Sequence, residues 1–349
     1  MEKNRLESLV RPNIRTLCPY STARDEYAGR PGIFLDANES PYDTGFNRYP
    51  DPRQQALKAR IAAVKGVPAE RIFAGNGSDE AIDLLFRIFC VPGRDNAVAI
   101  VPSYGMYAVA AATNDVALRE VPLGADFSLP AEALLAAADA DSKLLFLCSP
   151  NNPTGNAFAP EALCSLAERF PGIVVVDEAY IDFSSVPGLL GVLDRYPNLV
   201  VLQTLSKAWG LAGLRVGLAF ADPYIIRLMG AVKYPYNLSQ AAQQLALKAL
   251  EQDPAPRIAA IVAGRDRLAA RLPAFACVRK VWPSEANFLL VEVDDPNALY
   301  AHLLADGIIV RNRNRVPGCA GCLRITAGLP EENEQLIQSI EAYEKSHLR

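Results

Sequence analysis

Residues Val200 to Gly217 read VVLQTLSKAWGLAGLRVG, and the chain is most easily understood outward from them. Leu199 to Leu202 is a short apolar, β-branched run with the composition of a buried strand, ending at Gln203-Thr204. Beyond it come two hydroxyls (Thr204, Ser206), then Lys207, glycines at 210, 213 and 217, and Arg215. A lysine that follows a buried strand among small residues differs from a solvated surface lysine. Partial burial and a nearby guanidinium both lower its pKa, which an amine needs if it is to attack a carbonyl and form a Schiff base. The hydroxyls and Arg215 suit a phosphate held beside it. The same residues also fit a glycine-softened strand–turn–strand whose lysine points to water, and the stretch alone leaves both readings open.

Upstream, short apolar strands at 97–101, 144–148, 173–177, 199–202 and 216–220 alternate with helical or turn segments such as 131–138 and 160–169. This βαβ pattern predicts an α/β fold with a mostly parallel, doubly wound sheet. Polar clusters follow three strand ends: SPNNPTG (149–155), DEAY (177–180) and Lys207. Ligands of open α/β sheets bind beyond the carboxyl ends of the strands, so Asn152, Asp177, Tyr180 and Lys207 are expected to converge on one crevice. AGNGSDEAIDLLFRIF (74–89) predicts a glycine turn entering a helix capped by Ser78 or Asp79, with Ile82, Leu85, Phe86 and Phe89 on its buried face. Such a turn offers free N–H groups to a phosphate, although a plain capped helix start reads the same way. It is neither GxGxxG nor a P-loop.

Residues 1–45, with prolines at 12, 19, 31 and 41, read as an extended N-terminal arm joining a small domain and the substrate pocket. Within it LDANESP (35–41) sets Asn38 and Glu39 at a turn, and RYPDP (48–52) follows, with Pro50 and Pro52 holding Tyr49 extended and exposed. A helix is expected from about 54 to 65. A large domain is expected over 46–255 and a smaller one over 256–349. After residue 222 the pattern is helical (222–231, 238–251, 254–271). It then becomes mixed, with strands at 287–293, 308–310 and 322–326 and helices at 296–305 and 331–346.

The 349 residues, half of them hydrophobic, suffice for a large core, and a net charge of −4 without a basic block argues against a nucleic-acid surface. Seven scattered cysteines suit reduced core thiols in a cytoplasm. Cys319 and Cys322 make one CxxC with no second pair or suitable histidine, so no metal site is expected. The N-terminus, MEKNRLESLVRPNIR, is charged and lacks the apolar core of a secretory signal. The most hydrophobic stretches are broken by Pro102, Lys207 and Arg215, so neither reads as a membrane span. His302, in a helical pattern, and His347, near the end, give little support to Ser–His–Asp hydrolysis.

Taken together, the polar residues ask for one kind of partner. A lysine able to form a Schiff base stands with Asp177, whose carboxylate at a buried strand end could keep a ring nitrogen protonated. Tyr180 and Asn152 could bond a phenolic oxygen, and two elements could hold a phosphate. That set describes pyridoxal 5′-phosphate. The motifs LDANESP, RYPDP, GNGSDE, VPSYGMY, SPNNPTG, VVVDEAY, LQTLSKAWGLAGLRVG and CLRITAG carry a likeness that runs from about residue 16 to 328. Through them the chain resembles the fold type I, pyridoxal-phosphate-dependent aminotransferases, most closely the histidinol-phosphate aminotransferase family.

The resemblance implies a large domain with a doubly wound sheet plus a smaller α/β domain, and a Schiff base on Lys207. It implies Asp177 on the pyridine nitrogen, Asn152 and Tyr180 near the ring hydroxyl, and Tyr104 stacked on the ring. Ser78, Asp79, Thr204, Ser206 and Arg215 are implied to hold the phosphate. Tyr49 would reach the phosphate of a neighbouring subunit in a homodimer with shared active sites. Tyr20, Asn38, Arg311 and Arg324 are implied to line the substrate pocket, while Arg313 and Arg315 read as strand or loop surface. The implied reaction is transamination between L-histidinol phosphate and 2-oxoglutarate, giving imidazole-acetol phosphate and glutamate in histidine biosynthesis. A threonine-phosphate decarboxylase or an aromatic or acidic amino-acid aminotransferase on the same scaffold is the alternative. A regulator would need a DNA-binding module, and a nicotinamide dehydrogenase a GxGxxG, and neither is in the chain.

Overall fold

The apolar runs assemble into two sheets in the computed structural model, which describes residues 3–22 and 32–347. Residues 1–2, 23–31 (with Pro31 of the expected arm) and 348–349 lie outside the described residues. The larger sheet is built from β1 (Ile72–Asn76), β2 (Asn96–Val101), β3 (Ala117–Pro122), β4 (Ser142–Cys148), β5 (Ile173–Asp177), β6 (Leu199–Thr204) and β7 (Val216–Phe220). Its order is β1-β7-β6-β5-β4-β2-β3. The run from β6 to β3 is parallel, and β7 alone points the other way, antiparallel to β6 and β1.

The interior parallel strands β2, β4, β5 and β6 carry apolar runs because both of their faces are covered. Leu145, Leu147, Val174, Val176 and Val201 point into one core cluster. Their neighbours Leu144, Phe146, Val175, Val200 and Leu202 point into another, as a period of two requires. The second cluster is closed by the helices Ser78–Phe89 and Pro223–Val232. The first is closed by Gln55–Lys65, Pro160–Arg169 and Gln240–Ala249. The doubly wound α/β sheet expected from the strand–helix alternation is therefore the observed one.

A second, antiparallel sheet joins β8 (Val278–Val281), β9 (Phe288–Val293), β10 (Arg311–Asn312) and β11 (Cys322–Thr326) in the order β10-β11-β9-β8. Its core is filled by Leu299 and Leu303 of the helix Pro296–Ala305 and by Leu336, Ile337 and Ile340 of the helix Pro330–His347. His302 belongs to this packing, with Nε2 3.0 Å from the Ser339 carbonyl. No helix of the described residues is long and apolar enough to cross a membrane.

Some elements differ from expectation. β1 was masked in the sequence by Gly75 and Gly77, which read as a turn, although four of its five residues are buried. β3 and β8 are edge strands carrying Arg119, Glu120, Arg279 and Lys280, so they lack the apolar run that marks a central strand. The strand expected at 308–310 is replaced by a two-residue strand at Arg311–Asn312, because Gly307, at φ +77°, and Ile308 are still terminating the preceding helix. The arm is not extended at its start. Residues Lys3–Leu9 and Pro12–Arg15 are helical, and Leu6 and Val10 are buried in the second core cluster. Pro12 there opens a helical turn, a position that suits its fixed φ.

Candidate active site

The parallel pairing delivers the polar residues to one edge. Cys148 lies opposite Asp177 and Asp177 opposite Leu202, so the ends of β4, β5 and β6 are level. Because β7 runs the other way, its start meets the same edge, with Thr204 opposite Gly217 and Asn76 opposite Val216. A cavity opens there, lined by Ser78, Asp79, Tyr104, Asn152, Asp177, Tyr180, Thr204, Ser206, Lys207 and Arg215. Ten of the expected side chains thus meet in one space.

Asp177 forms its floor. Only 3% exposed, its Oδ2 accepts the Tyr107 hydroxyl at 2.9 Å and its Oδ1 the Ala179 N–H at 3.1 Å. Burial drives its pKa up to about 6, against the pull of those two bonds. A buried carboxylate with only neutral donors on the protein side is suited to a cation on the cavity side. Lys207 Nζ lies 5.6 Å from the centroid of the Tyr180 ring. Burial, then the Arg324 charge, lower its pKa, and Asp177 opposes them.

The end of the cavity at Ser78 and Arg215 is built by close approach. A Cβ on Gly217 would stand 2.0 Å from the Ser78 nitrogen and 2.1 Å from the Gly77 carbonyl carbon, so only glycine lets β7 pass the start of the helix Ser78–Phe89. Gly77, at φ +77°, donates its N–H to the Arg215 carbonyl at 2.7 Å, and a Cβ there would meet the Arg215 guanidinium at 2.7 Å. The helix has no side-chain N-cap, leaving its first N–H groups to a ligand. Arg215 pairs with Asp79 at 3.5 Å, and Asp79 accepts the Tyr104 hydroxyl at 3.0 Å.

A second, larger cleft of about 1350 Å³ adjoins it, sharing Tyr104, Asn152, Tyr180 and Lys207 and adding Arg311, Arg313 and Arg324. Arg324 donates to Asn152 Oδ1 at 2.5 Å and lies 5.2 Å above the Phe288 ring. Burial lowers its pKa, and no carboxylate pairs with it among the described residues. Arg313 departs from expectation. The sequence placed it on a loop surface, whereas it is half-buried and faces this cleft.

Three expected residues stand apart. Tyr49 is 50% exposed and stacks on Tyr236 with ring centroids 4.4 Å apart. With Asn38 it lines a separate pocket, in which Glu39 accepts the Tyr49 N–H at 2.6 Å and pairs with Arg48 at 2.8 Å. Tyr20 is 72% exposed and lines neither cleft described above.

Sequence reasoning missed Tyr107, although its place in SYGMY, one helical turn beyond Tyr104, was a signal. It also missed Glu178, a buried carboxylate that accepts the Gln203 amide at 2.9 Å and the Leu189 N–H at 2.6 Å. Glu80 was missed as well, although it bonds Asn237 and so ties the glycine turn to the chain after Val232. The CxxC pair is buried beside Phe127 and Leu290, where burial pushes both thiols up, and no metal-binding cluster occurs among the described residues.

The donor set fits pyridoxal 5′-phosphate. A buried acid and a lysine of lowered pKa line one cavity, and an uncapped helix start with Arg215 closes one end.

Comparison with known proteins agrees. Residues 35–340 match the family model described as aminotransferase class I and II. The histidinol-phosphate aminotransferase of Parabacteroides distasonis is 52% identical over 338 residues, 96% of this chain and 98% of that protein. The crystal structure of the histidinol-phosphate aminotransferase of Clostridium acetobutylicum superposes with a TM-score of 0.80 at 23% identity, covering 86% of this chain and 92% of that one, which bears on the fold. That of Sinorhizobium meliloti, solved in complex with pyridoxal-5′-phosphate, gives 0.76 at 25% identity over 85% and 83%. With near-complete coverage at this identity, and with the lysine, the acid and the anion cup in one cavity, the chain belongs to the class I and II aminotransferases and, within them, to the histidinol-phosphate aminotransferase family.

Proposed function

We propose that this aminotransferase moves an amino group between L-histidinol phosphate and 2-oxoglutarate, in a homodimer whose subunits complete each other's sites. The observation that carries the substrate reading is the gathering of Lys207, Arg311 and Arg324 in one cleft, where Glu120 is the one carboxylate of the lining and makes no ion pair with the guanidiniums among the described residues. A phosphate monoester supplies that charge and accepts bidentate guanidinium bonds.

When bound, pyridoxal phosphate supplies an electron sink for the charge developed at the substrate carbon. The chain's own residues do the rest. Asp177, oriented by Tyr107 and Ala179, holds the proton of the ring nitrogen. Lys207 Nζ, whose pKa is lowered by burial and Arg324, would take the proton from the amine-bearing carbon and deliver it to the cofactor's C4′ carbon. Asn152 Oδ1 already accepts from Arg324, so its NH₂ would be the group that donates to the cofactor's phenolic oxygen, with Tyr180 as the second candidate partner. Ser78, Asp79, Thr204, Ser206 and Arg215 hold the cofactor phosphate, Tyr104 covers the ring, and Arg311 and Arg324 orient the substrate anion. Alternate use of Arg324 for phosphate and dicarboxylate gives ping-pong kinetics.

The dimer reading rests on the arm. Tyr20, Asn38 and Tyr49 lie away from the cleft of their own subunit, and Ile33, Leu35, Tyr42 and Tyr234 around them are 77% exposed or more. Apolar area of that kind is what a second copy covers. The reaction is tested spectroscopically. The loaded protein is expected to lose its yellow colour with histidinol phosphate alone and to regain it with 2-oxoglutarate. Bleaching by an aromatic or acidic amino acid but not by histidinol phosphate would contradict the substrate.

A further inference from the structure

We propose that Arg313 is a third guanidinium of the substrate-anion site and selects a phosphate monoester over a carboxylate. The inference rests on the reading above, in which Arg311 and Arg324 hold the substrate anion, and goes beyond it by assigning a specificity-determining residue.

Arg313 reaches the cleft because its loop is built, not slack. Its N–H donates to the Cys322 carbonyl at 2.9 Å, and its carbonyl accepts the Val316 N–H at 2.8 Å. Asn312 and Asn314 side chains brace the turn, accepting the Asn314 N–H at 2.9 Å and the Gly321 N–H at 2.8 Å. The side chain lines the cleft together with Tyr180, Lys207, Arg311 and Arg324. Its guanidinium bonds no described residue, and the Nε atoms of Arg313 and Arg324 are both buried without a partner. Arg11 and Arg71 also leave one buried donor unpartnered, but each bonds the protein through another, Arg11 the Arg87 carbonyl and Arg71 the Asp194 carboxylate, whereas Arg313 bonds it through none among the described residues. Here burial and then the like charges of Arg324 and Arg311 lower the Arg313 pKa, and no carboxylate counters them. A cluster of this sign is stabilised by an incoming anion.

Charge decides which anion. A carboxylate carries one negative charge on two oxygens, which Arg311 and Arg324 can satisfy between them. A phosphate monoester carries about −1.5 to −2 at neutral pH on three terminal oxygens, and three guanidiniums match it. Arg313 therefore adds more to phosphate binding than to dicarboxylate binding.

The test uses the cofactor-loaded enzyme with Arg313→Gln and Arg313→Lys. Dissociation constants for propyl phosphate and for glutarate, neither of which carries an amine, are measured by calorimetry, alongside KM for histidinol phosphate and for glutamate. For Arg313→Gln, propyl phosphate is expected to weaken at least about tenfold more than glutarate, with a matching change in the ratio of the two KM values. Arg313→Lys is expected to recover part of that ratio, since it keeps the charge and loses the fork. An unchanged ratio, in a variant that still binds glutarate, overturns the role of Arg313 and leaves the reaction standing. A wild-type enzyme that binds glutarate but neither propyl phosphate nor histidinol phosphate overturns the functional reading, and this inference with it.

Discussion

Lys207 shares its cavity with two carboxylates, Asp79 and Asp177, and with Arg215, while Arg324 stands close enough to act on it. Burial and the guanidiniums outweigh the acids, so the amine loses its proton more readily than a surface lysine. Lys207→Ala is expected to lower turnover by at least about 10²–10⁴-fold, the range for removing a general base. Borohydride is expected to fix the cofactor to the wild-type lysine and none to the variant, and mass spectrometry reads the difference. Glu178 makes a prediction about stability rather than chemistry. Burial raises its pKa from the ordinary 4.5 to about 7, against the bonds from Gln203 and Leu189. A raised carboxylate favours the fold while protonated. Its contribution is complete below pH 4.5 and is lost as pH rises through 7, a change on the order of 3 kcal/mol. Glu178→Gln does not titrate and can keep an acceptor for Leu189. Urea midpoints of the cofactor-free proteins from pH 4 to 8 should fall less steeply for the variant than for wild type; equal slopes would refute this.

At the scale of elements, the site depends on where β7 passes the helix Ser78–Phe89. Gly217→Ala puts a methyl group 2.0 Å from the Ser78 nitrogen, a backbone atom that can yield only by moving the helix start. The expected cost is about 1–3 kcal/mol, as for other overpacked sites, and thermal unfolding measures it. Cofactor release should also quicken, because the displaced N–H groups are those offered to the phosphate. The same elements show what a sequence discloses. β4, β5 and β6 were legible because both of their faces are buried and their runs are apolar throughout. The edge strands β3 and β8 were not, since charged residues serve their open sides. β1 was hidden by a glycine whose added Cβ would lie 2.6 Å from the Phe73 ring, a requirement of packing that composition does not reveal.

At the scale of the whole molecule, the proposed dimer rests on the arm and the exposed aromatics beside it. Tyr49→Phe is expected to release cofactor about tenfold faster on dialysis, the loss of one charge-assisted hydrogen bond to phosphate. Heterodimers of Tyr49→Phe with Lys207→Ala should contain one site of normal retention and normal turnover, and retention unaffected by Tyr49→Phe would remove Tyr49 from the site. The chain's local chemistry was sufficient to determine the alternation of strand and helix, the acid at a strand end, the lysine after the next strand and the glycine-led helix, because each depends on neighbours a few residues away. It misplaced one of the arginines, Arg313. Arg311, Arg313, Arg315 and Arg324 look alike in a charged stretch, and only the fold of β10, β11 and their loop decides which of them face Lys207. The Tyr107–Asp177 bond, spanning 70 positions, likewise exists only once the helix Met106–Thr113 packs over the sheet. Contacts between residues distant in the chain are set by packing, and packing is a property of the assembled core.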